Sequence, residues 1–132
     1  MSKSLAEIIY LTICKIRTFF IVPSARIIRF PIDIRGKKFI DFGRKLTTGY
    51  NCRLEAYPIE NNNSKILKIG DNVQINDFVH IATAKNVEIG KGSIIGANSL
   101  VTKSIPDFSI AAGNPAKVIK QYNFTKKQWE KI

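Results

Sequence analysis

The stretch IGDNVQINDFVHIATAKNVEIGKGSIIGANSLVTKSIP, residues 69–106, returns an aliphatic residue on a six-residue beat. Its hexads begin with Ile69, Ile75, Ile81, Ile89, Ile95 and Val101. The second residue of a hexad is often glycine or another small residue, and the fifth is Val or Ser in four of the six. An α-helix repeats near 3.6 residues and a β-strand at 2, so neither accounts for this period.

Such a hexad predicts a short strand followed by a bend, so that three hexads carry the chain once around a triangular coil of about 18 residues. Coils of this kind stack, with each aliphatic residue over its equivalent in the next coil and with parallel strands bonded between coils. A weaker first set extends the repeat backwards, and it consists of Phe42, Thr48 and Leu54. Ile110 is expected to open a last set. A sandwich or barrel is disfavoured, because it would show period-2 alternation with turns about every 8–12 residues.

The corners of the predicted coils carry glycines. We expect Gly70, Gly90 and Gly96 to relieve these corners, because a positive φ angle is cheap only without a Cβ. The prediction is therefore that glycine is used here for its backbone conformation.

Both ends of the chain carry helical signals. An apolar set at helical spacing consists of Leu5, Ile8, Ile9, Thr12, Ile16, Phe19 and Phe20. It predicts an amphipathic helix that packs on the rest of the protein, with contact to a membrane surface as the alternative. Charged residues interrupt the segment, so it holds no run of about 18 apolar residues able to span a bilayer. Near the C-terminus, Thr125 as a helix N-cap and Trp129 as an apolar anchor predict a short second helix.

The chain has a formal net charge of +11, and the excess lies towards the N-terminus. Through Arg53, eleven basic residues stand against three acidic ones. The excess suits a solvated face or a phosphate-rich partner, whereas a nucleic-acid module is disfavoured because no recognised motif or aromatic stacking platform accompanies it. The two cysteines, Cys14 and Cys52, show neither metal-ligand spacing nor a disulfide framework, and they suit a reducing cytoplasm.

Three segments carry a family likeness: residues 69–82 and 89–106, and IAAGNPAKVIKQYN at residues 110–123. They resemble the hexapeptide-repeat acyltransferases. More narrowly, RIIRFP at residues 26–31 and KQYNFTKKQWEKI at residues 120–132 resemble lipopolysaccharide-biosynthesis O-acetyltransferases of the WbbJ type.

The resemblance implies an all-β fold, a left-handed parallel β-helix with a short helix at each end. The expected division is an N-terminal amphipathic helix over residues 1–25, the β-helix over residues 26–122 and a C-terminal helix over residues 123–132. Members of this family are typically homotrimers that move an acetyl group from acetyl-CoA to a sugar hydroxyl, with each active site between neighbouring subunits.

The family draws its general base from a histidine in a D-H-x-H-G stretch, which this sequence lacks. His80 is the one histidine of the chain and hence the remaining catalytic candidate, with a structural role as the alternative. The positions that match the family's coenzyme A contacts are Ala97, Thr102, Lys103, Lys117 and Lys120. The resemblance thus implies a cytoplasmic O-acetyltransferase of lipopolysaccharide biosynthesis, with loss of activity as the alternative because the stretch that carries the catalytic histidine is absent. The alternative is a non-catalytic β-helix that binds an anionic surface or a protein partner through residues 26–45.

Overall fold

A computed structural model describes residues 3–60 and 64–132. Within those ranges the α-helix α1 (Leu5–Ile21) is followed by fourteen strands, and a short 3₁₀ turn (Lys37–Phe39) precedes β3. The strands are β1 (Ile27–Ile28), β2 (Ile32–Arg35), β3 (Ile40–Phe42), β4 (Thr47–Thr48), β5 (Cys52–Ala56), β6 (Leu67–Ile69), β7 (Gln74–Ile75), β8 (His80–Thr83), β9 (Val87–Ile89), β10 (Ile94–Ile95), β11 (Leu100–Val101), β12 (Ser109–Gly113), β13 (Ala116–Asn123) and β14 (Gln128–Lys131).

Successive strands of the chain up to β11 belong to three sheets in rotation. Sheet 1 has the order β1-β4-β7-β10-β12-β13-β14, sheet 2 the order β2-β5-β8-β11 and sheet 3 the order β3-β6-β9. Neighbouring strands from successive coils pair in parallel in all three sheets, up to β12. A parallel β-helix, as predicted from the hexads, is therefore the architecture of this protein.

The predicted stacks form the core. Ile75 pairs with Thr48 on one side and Ile95 on the other, and Ile81 pairs with Leu54 and Val101 in the same way. These side chains are buried, and so are five of the six fifth-position residues of the hexads, the exception being the exposed Lys85. The Ser93 hydroxyl donates to the Pro106 carbonyl oxygen at 2.8 Å, so burial leaves that polar group satisfied.

The last coil differs from the prediction. Ile110 does not open a core set, because Ala111 is the residue that pairs with Ile95 and is fully buried. Ile105 instead starts the coil, bridging to Ile89 and lying 5% exposed. Alternation along a strand then turns Ile110 to the outer side of sheet 1.

The corner glycines also act for a different reason than predicted. Positive φ occurs at the fourth position of a hexad, as at Asn72 and Asn98, and not at Gly70, Gly90 or Gly96. A Cβ at Gly90 would lie 2.2 Å from the Asp107 nitrogen in the next coil. Glycine is therefore required at that corner because two backbones approach closely.

Helix α1 begins after Ser4, whose Oγ accepts a hydrogen bond from the Glu7 backbone N–H at 3.2 Å. The helix forms as predicted, but it packs on the protein through Cys14 and Thr18. The apolar face that was expected to pack points away, with Phe20 78% exposed. No helix among the described residues is both long and apolar enough to cross a membrane.

The predicted C-terminal helix is wrong, because residues 128–131 form the strand β14. This strand pairs antiparallel with β13, which itself pairs antiparallel with β12. Asn123 Oδ1 accepts from the backbone N–H groups of Thr125 and Lys126, both at 3.0 Å, so Thr125 lies in a turn and caps no helix. Trp129 does anchor the segment, with its ring 5.3 Å from that of Tyr122.

Candidate functional site

The outer face of sheet 2 carries His80. Along β8, Ile81 and Thr83 are buried in the core, so His80 and Ala82 point outward. In the register of the sheet His80 lies beside Arg53 in one neighbouring strand and Leu100 in the other. The stacking of coils thus surrounds the histidine with residues that are distant in the sequence.

A cluster of charged side chains lies on the outer face of β2 and β5, the two strands of sheet 2 that come before β8. Arg35 Nη2 lies 3.0 Å from Asp33 Oδ2, and Arg53 Nε lies 3.4 Å from the same oxygen. Arg53 Nε also lies 3.2 Å from Glu55 Oε1. The hydrogen bond from Arg35, helped by the charges of both arginines, holds the pKa of the Asp33 carboxyl below its usual value.

Glu55 links this cluster to the histidine. Its Oε1 lies 3.5 Å from His80 Nε2, and its side chain is only 17% exposed. His80 Nε2 is shielded from solvent and has no hydrogen-bond partner among the described residues, because 3.5 Å is long for such a bond. With Nε2 directed at a carboxylate, Nδ1 is the ring nitrogen left to accept a proton.

A groove of about 450 Å³ opens beside the same face, at the corner between sheets 2 and 3. Its lining residues are Ile59, Ala82, Ala84, Lys85, Asn86, Val87, Thr102, Lys103 and Ser104. Ala82 stands two residues from His80 on the same face of β8, a separation of about 7 Å along a strand. The short side chains of Ala82 and Ala84, together with the cations of Lys85 and Lys103 in the same lining, suit a slender chain that ends in phosphates.

The residues predicted to contact coenzyme A separate into groups. Thr102 and Lys103 line the groove near His80. Ala97 lies at a different corner, between β10 and β11, while Lys117 pairs with Ala112 in the terminal hairpin of sheet 1. Lys120 pairs with Ile110 three residues further along β13. A single copy of the chain therefore gathers two of the five predicted contacts beside the histidine.

Glu55 and Lys85 were not predicted as site residues. Glu55 was within reach of the sequence pattern, because stacking Leu54 on Ile81 sets Arg53 beside His80 and Glu55 beside Ala82, on the same outer face. Lys85 carries no such signal, since it occupies a corner where the hexad pattern is interrupted.

Comparison with known proteins identifies the repeats. The family profile for the bacterial transferase hexapeptide (six repeats) matches residues 67–103. A candidate lipopolysaccharide biosynthesis O-acetyl transferase of Escherichia coli (strain K12), WbbJ, is 30% identical over 171 positions, covering 82% of this chain and 85% of that protein. The galactoside O-acetyltransferase of the same strain is 43% identical over 63 residues, covering 48% of this chain and 30% of that enzyme.

Solved structures of acetyltransferases are similar to this fold. A galactoside acetyltransferase in complex with coenzyme A superposes with a TM-score of 0.55 at 27% identity, covering 80% of this chain and 66% of that one. A serine acetyltransferase in complex with cysteine gives a TM-score of 0.55 at 25% identity, covering 74% of this chain and 41% of that one. The fold shared with these acetyltransferases is the left-handed parallel β-helix.

The alignment with WbbJ is longer than this chain. It runs over 171 positions, whereas 82% of 132 residues is about 108, so about 63 positions of the alignment have no residue here. The alignment nevertheless reaches over 85% of that relative. A stack of coils can lose whole coils and keep its fold, because each coil contacts only its neighbours. With the hexads stacked as three parallel sheets and a relative matched along most of both lengths, the chain belongs to the bacterial hexapeptide-repeat transferase family.

Proposed function

We propose that this protein is an O-acetyltransferase that moves an acetyl group from acetyl-CoA to a sugar hydroxyl in lipopolysaccharide biosynthesis. One observation carries the proposal: His80 and the groove with Thr102 and Lys103 share one edge of the β-helix. The proposed partners are acetyl-CoA, a sugar acceptor and two further copies of the chain in a homotrimer, with the cytoplasm as the compartment. The similarity to WbbJ supports the substrate class, and the coenzyme A complex of galactoside acetyltransferase supports the donor.

The groove fits the donor in shape and charge. Ala82 and Ala84 contribute short side chains to its lining, against which a pantetheine arm can lie. Lys85 and Lys103 are exposed at its wall, where an ammonium group pairs with phosphate as a point charge. When bound, acetyl-CoA supplies an acetyl group activated as a thioester.

The proposed chemistry needs one proton acceptor near the thioester. His80 Nδ1 takes the proton of the sugar hydroxyl as its oxygen bonds to the carbonyl carbon, and the imidazolium returns that proton to the sulfur as the carbon–sulfur bond breaks. Glu55 Oε1, 3.5 Å from Nε2, stabilises the imidazolium and holds the ring in orientation. Glu55 is thus a positioning residue, and its ion pairs with Arg35 and Arg53 hold its carboxylate in place.

A second function is favoured by a specific observation. The D-H-x-H-G stretch of the family is missing from the sequence, and about 63 aligned positions of WbbJ have no counterpart in this chain. A β-helix that binds coenzyme A without transferring acetyl groups, and serves as a binding module, would be built in this way.

Calorimetric titration tests the binding half of the proposal. We expect acetyl-CoA to give a saturable signal with the wild-type chain, and Lys103→Ala to weaken it about tenfold or more, because a charge-assisted contact is lost. Lys131→Ala, which removes an exposed lysine from β14, is the matched control and should leave the affinity unchanged. Absence of a saturable signal, or equal effects of the two substitutions, would show that the groove is not the donor site.

Release of the free thiol of coenzyme A in the presence of sugar acceptors tests the catalytic half. His80→Ala should lower kcat about 10²–10⁴-fold. Glu55→Gln should lower kcat with little change in KM for acetyl-CoA, and should shift the pH profile, whereas a merely structural residue would not move that profile. If acetyl-CoA binds but no transfer occurs, the enzyme hypothesis fails and the binding module is supported. If transfer occurs and His80→Ala leaves it unchanged, His80 is not the general base.

A further inference from the structure

One face of α1 is apolar and open to solvent. Its members are Leu5 at 74% exposure, Ile8 at 49%, Ile9 at 51%, Ile13 at 43%, Ile16 at 56%, Phe19 at 69% and Phe20 at 78%. At about 100° per residue they span an arc of about 140° along the whole 17-residue helix. We call this arc the open face of α1.

The opposite side of the helix is fixed to the β-helix by polar contacts. The Tyr10 hydroxyl donates to the Phe30 carbonyl oxygen at 2.6 Å, and Thr18 Oγ1 accepts from the Ile28 N–H at 2.8 Å. Rolling the helix to bury its open face would break both bonds and leave buried polar groups unpaired. The open face is therefore presented outward by the fold.

Positive charge borders the open face. Lys15 and Arg17 lie on its two flanks by helical geometry, and the Arg17 guanidinium is held 4.6 Å from the centre of the Phe30 ring. Near the C-terminal end of the helix, a cavity of about 570 Å³ beside Ile21 is lined by three basic residues and one acidic residue: Lys37, Lys38, Lys65 and Asp41. Lys37 Nζ also donates to the Ile21 carbonyl oxygen. The single acidic residue of the helix, Glu7, lies near its N-terminus and outside the arc.

We propose that the open face of α1 docks on an anionic phospholipid surface. An outward apolar arc with basic flanks is the arrangement by which a helix lies in the membrane interface, with apolar side chains among the acyl chains and cations at the headgroups. At about 1.5 Å per residue the 17-residue helix is about 25 Å long, shorter than a hydrocarbon core of about 30 Å, so it lies in the interface and does not span it.

Charge argues against a second copy of the chain as the occupant. Two such faces brought together would oppose the lysine and arginine of their flanks, within a segment that carries eleven basic and three acidic residues through Arg53. Like charges set against each other disfavour association. An anionic surface meets the same cations with attraction.

Co-sedimentation of the full chain with vesicles tests the proposal. The wild-type chain should bind vesicles of phosphatidylcholine mixed with phosphatidylglycerol, and should bind vesicles of phosphatidylcholine alone at least about tenfold more weakly. Phe19→Ser with Phe20→Ser should lower binding about tenfold or more, because both rings are exposed and the substitutions remove the apolar area that would enter the acyl chains. Ile132→Ser, which removes a side chain of similar exposure at the C-terminus, is the matched control.

Charge reversal and salt provide a second arm. Lys15→Glu should weaken binding, whereas Lys131→Glu, at the far end of the chain, should weaken it less. Raising the salt to about 1 M, where the Debye length falls to about 3 Å, should also weaken binding. Circular dichroism should show all four variants folded, since each altered side chain is exposed.

Three results would overturn the proposal. These are absence of vesicle binding by the wild-type chain, binding that Phe19→Ser with Phe20→Ser leaves unchanged, and binding to neutral vesicles as strong as to anionic ones. If the same double variant instead lowers the molar mass of the protein in solution while no vesicle binding occurs, a second copy of the chain is the occupant.

Discussion

Replacing Gly90 by alanine perturbs the corner at which two coils come closest. The new Cβ would lie 2.2 Å from the Asp107 nitrogen and 2.4 Å from the Pro106 carbonyl carbon, whereas ordinary contact begins near 3.4 Å. Because both neighbours are backbone atoms, relief requires the coils to separate locally by about 1 Å.

The loss follows from the hydrogen bonds at that corner. The Gly90 N–H donates to the Ile105 carbonyl oxygen at 2.8 Å, the Phe108 N–H to the Lys91 carbonyl oxygen at 2.8 Å, and the Lys91 N–H to Asp107 Oδ1 at 3.1 Å. A displacement of about 1 Å exceeds the range of all three, and each contributes about 1 kcal/mol. Alanine recovers about 0.4–1 kcal/mol by restricting the unfolded chain, so we expect a net destabilisation of about 2–3 kcal/mol.

Gly96→Ala is the matched control. Its Cβ would lie 3.0 Å from the Ala112 Cβ, and a shift of a few tenths of an ångström relieves that contact. We expect its free energy of unfolding to stay within about 1 kcal/mol of the wild type. Urea titration followed by circular dichroism measures both variants. A Gly90→Ala protein as stable as the wild type, or a Gly96→Ala protein that loses as much, would refute close approach as the reason for the corner glycine.

Three further outcomes are expected. Ile95→Ala should lower the free energy of unfolding by about 2–5 kcal/mol in the same urea assay, because the side chain is fully buried in the stack. Trp129→Ala should lower it by about 1 kcal/mol, since the ring contact with Tyr122 anchors β14; an unchanged thermal midpoint would contradict this. Burial, with the Cys14 thiol adding to it, raises the pKa of Tyr10 to about 12 from 10.0. A raised pKa gives stability that is present below pH 10 and is lost as the pH rises towards 12, so a Tyr10→Phe variant should lose less stability over that interval than the wild type.

The hexads predicted the β-helix because their period is a property of the coil itself. Each side of the triangular coil is one hexad long and has one position for a large buried side chain such as that of Ile81. The six-residue period of the aliphatic residues therefore follows from the geometry of the coil. The same sets fix the register, since Leu54, Ile81 and Val101 stack as one column.

The ends of the chain escaped the same reasoning. In residues 123–132 the spacing of Thr125 and Trp129 fits a helix, but the open edge of β13 offers backbone hydrogen bonds that only a strand can complete. In α1 the spacing of the apolar residues predicted the helix and its apolar face. The hydrogen bonds of Tyr10 and Thr18, however, place the opposite face against the β-helix.

The candidate site divides in the same way. The sequence by itself determined the stacked coils and supplied His80, Thr102 and Lys103, because these follow from a local repeat and from motifs read along the chain. Only the tertiary structure decided that Glu55 lies 3.5 Å from His80, and that Ala97 and Lys117 lie away from it. The physical reason is that sheet 2 brings together residues of separate coils, and contacts between coils depend on which side chain each strand turns outward.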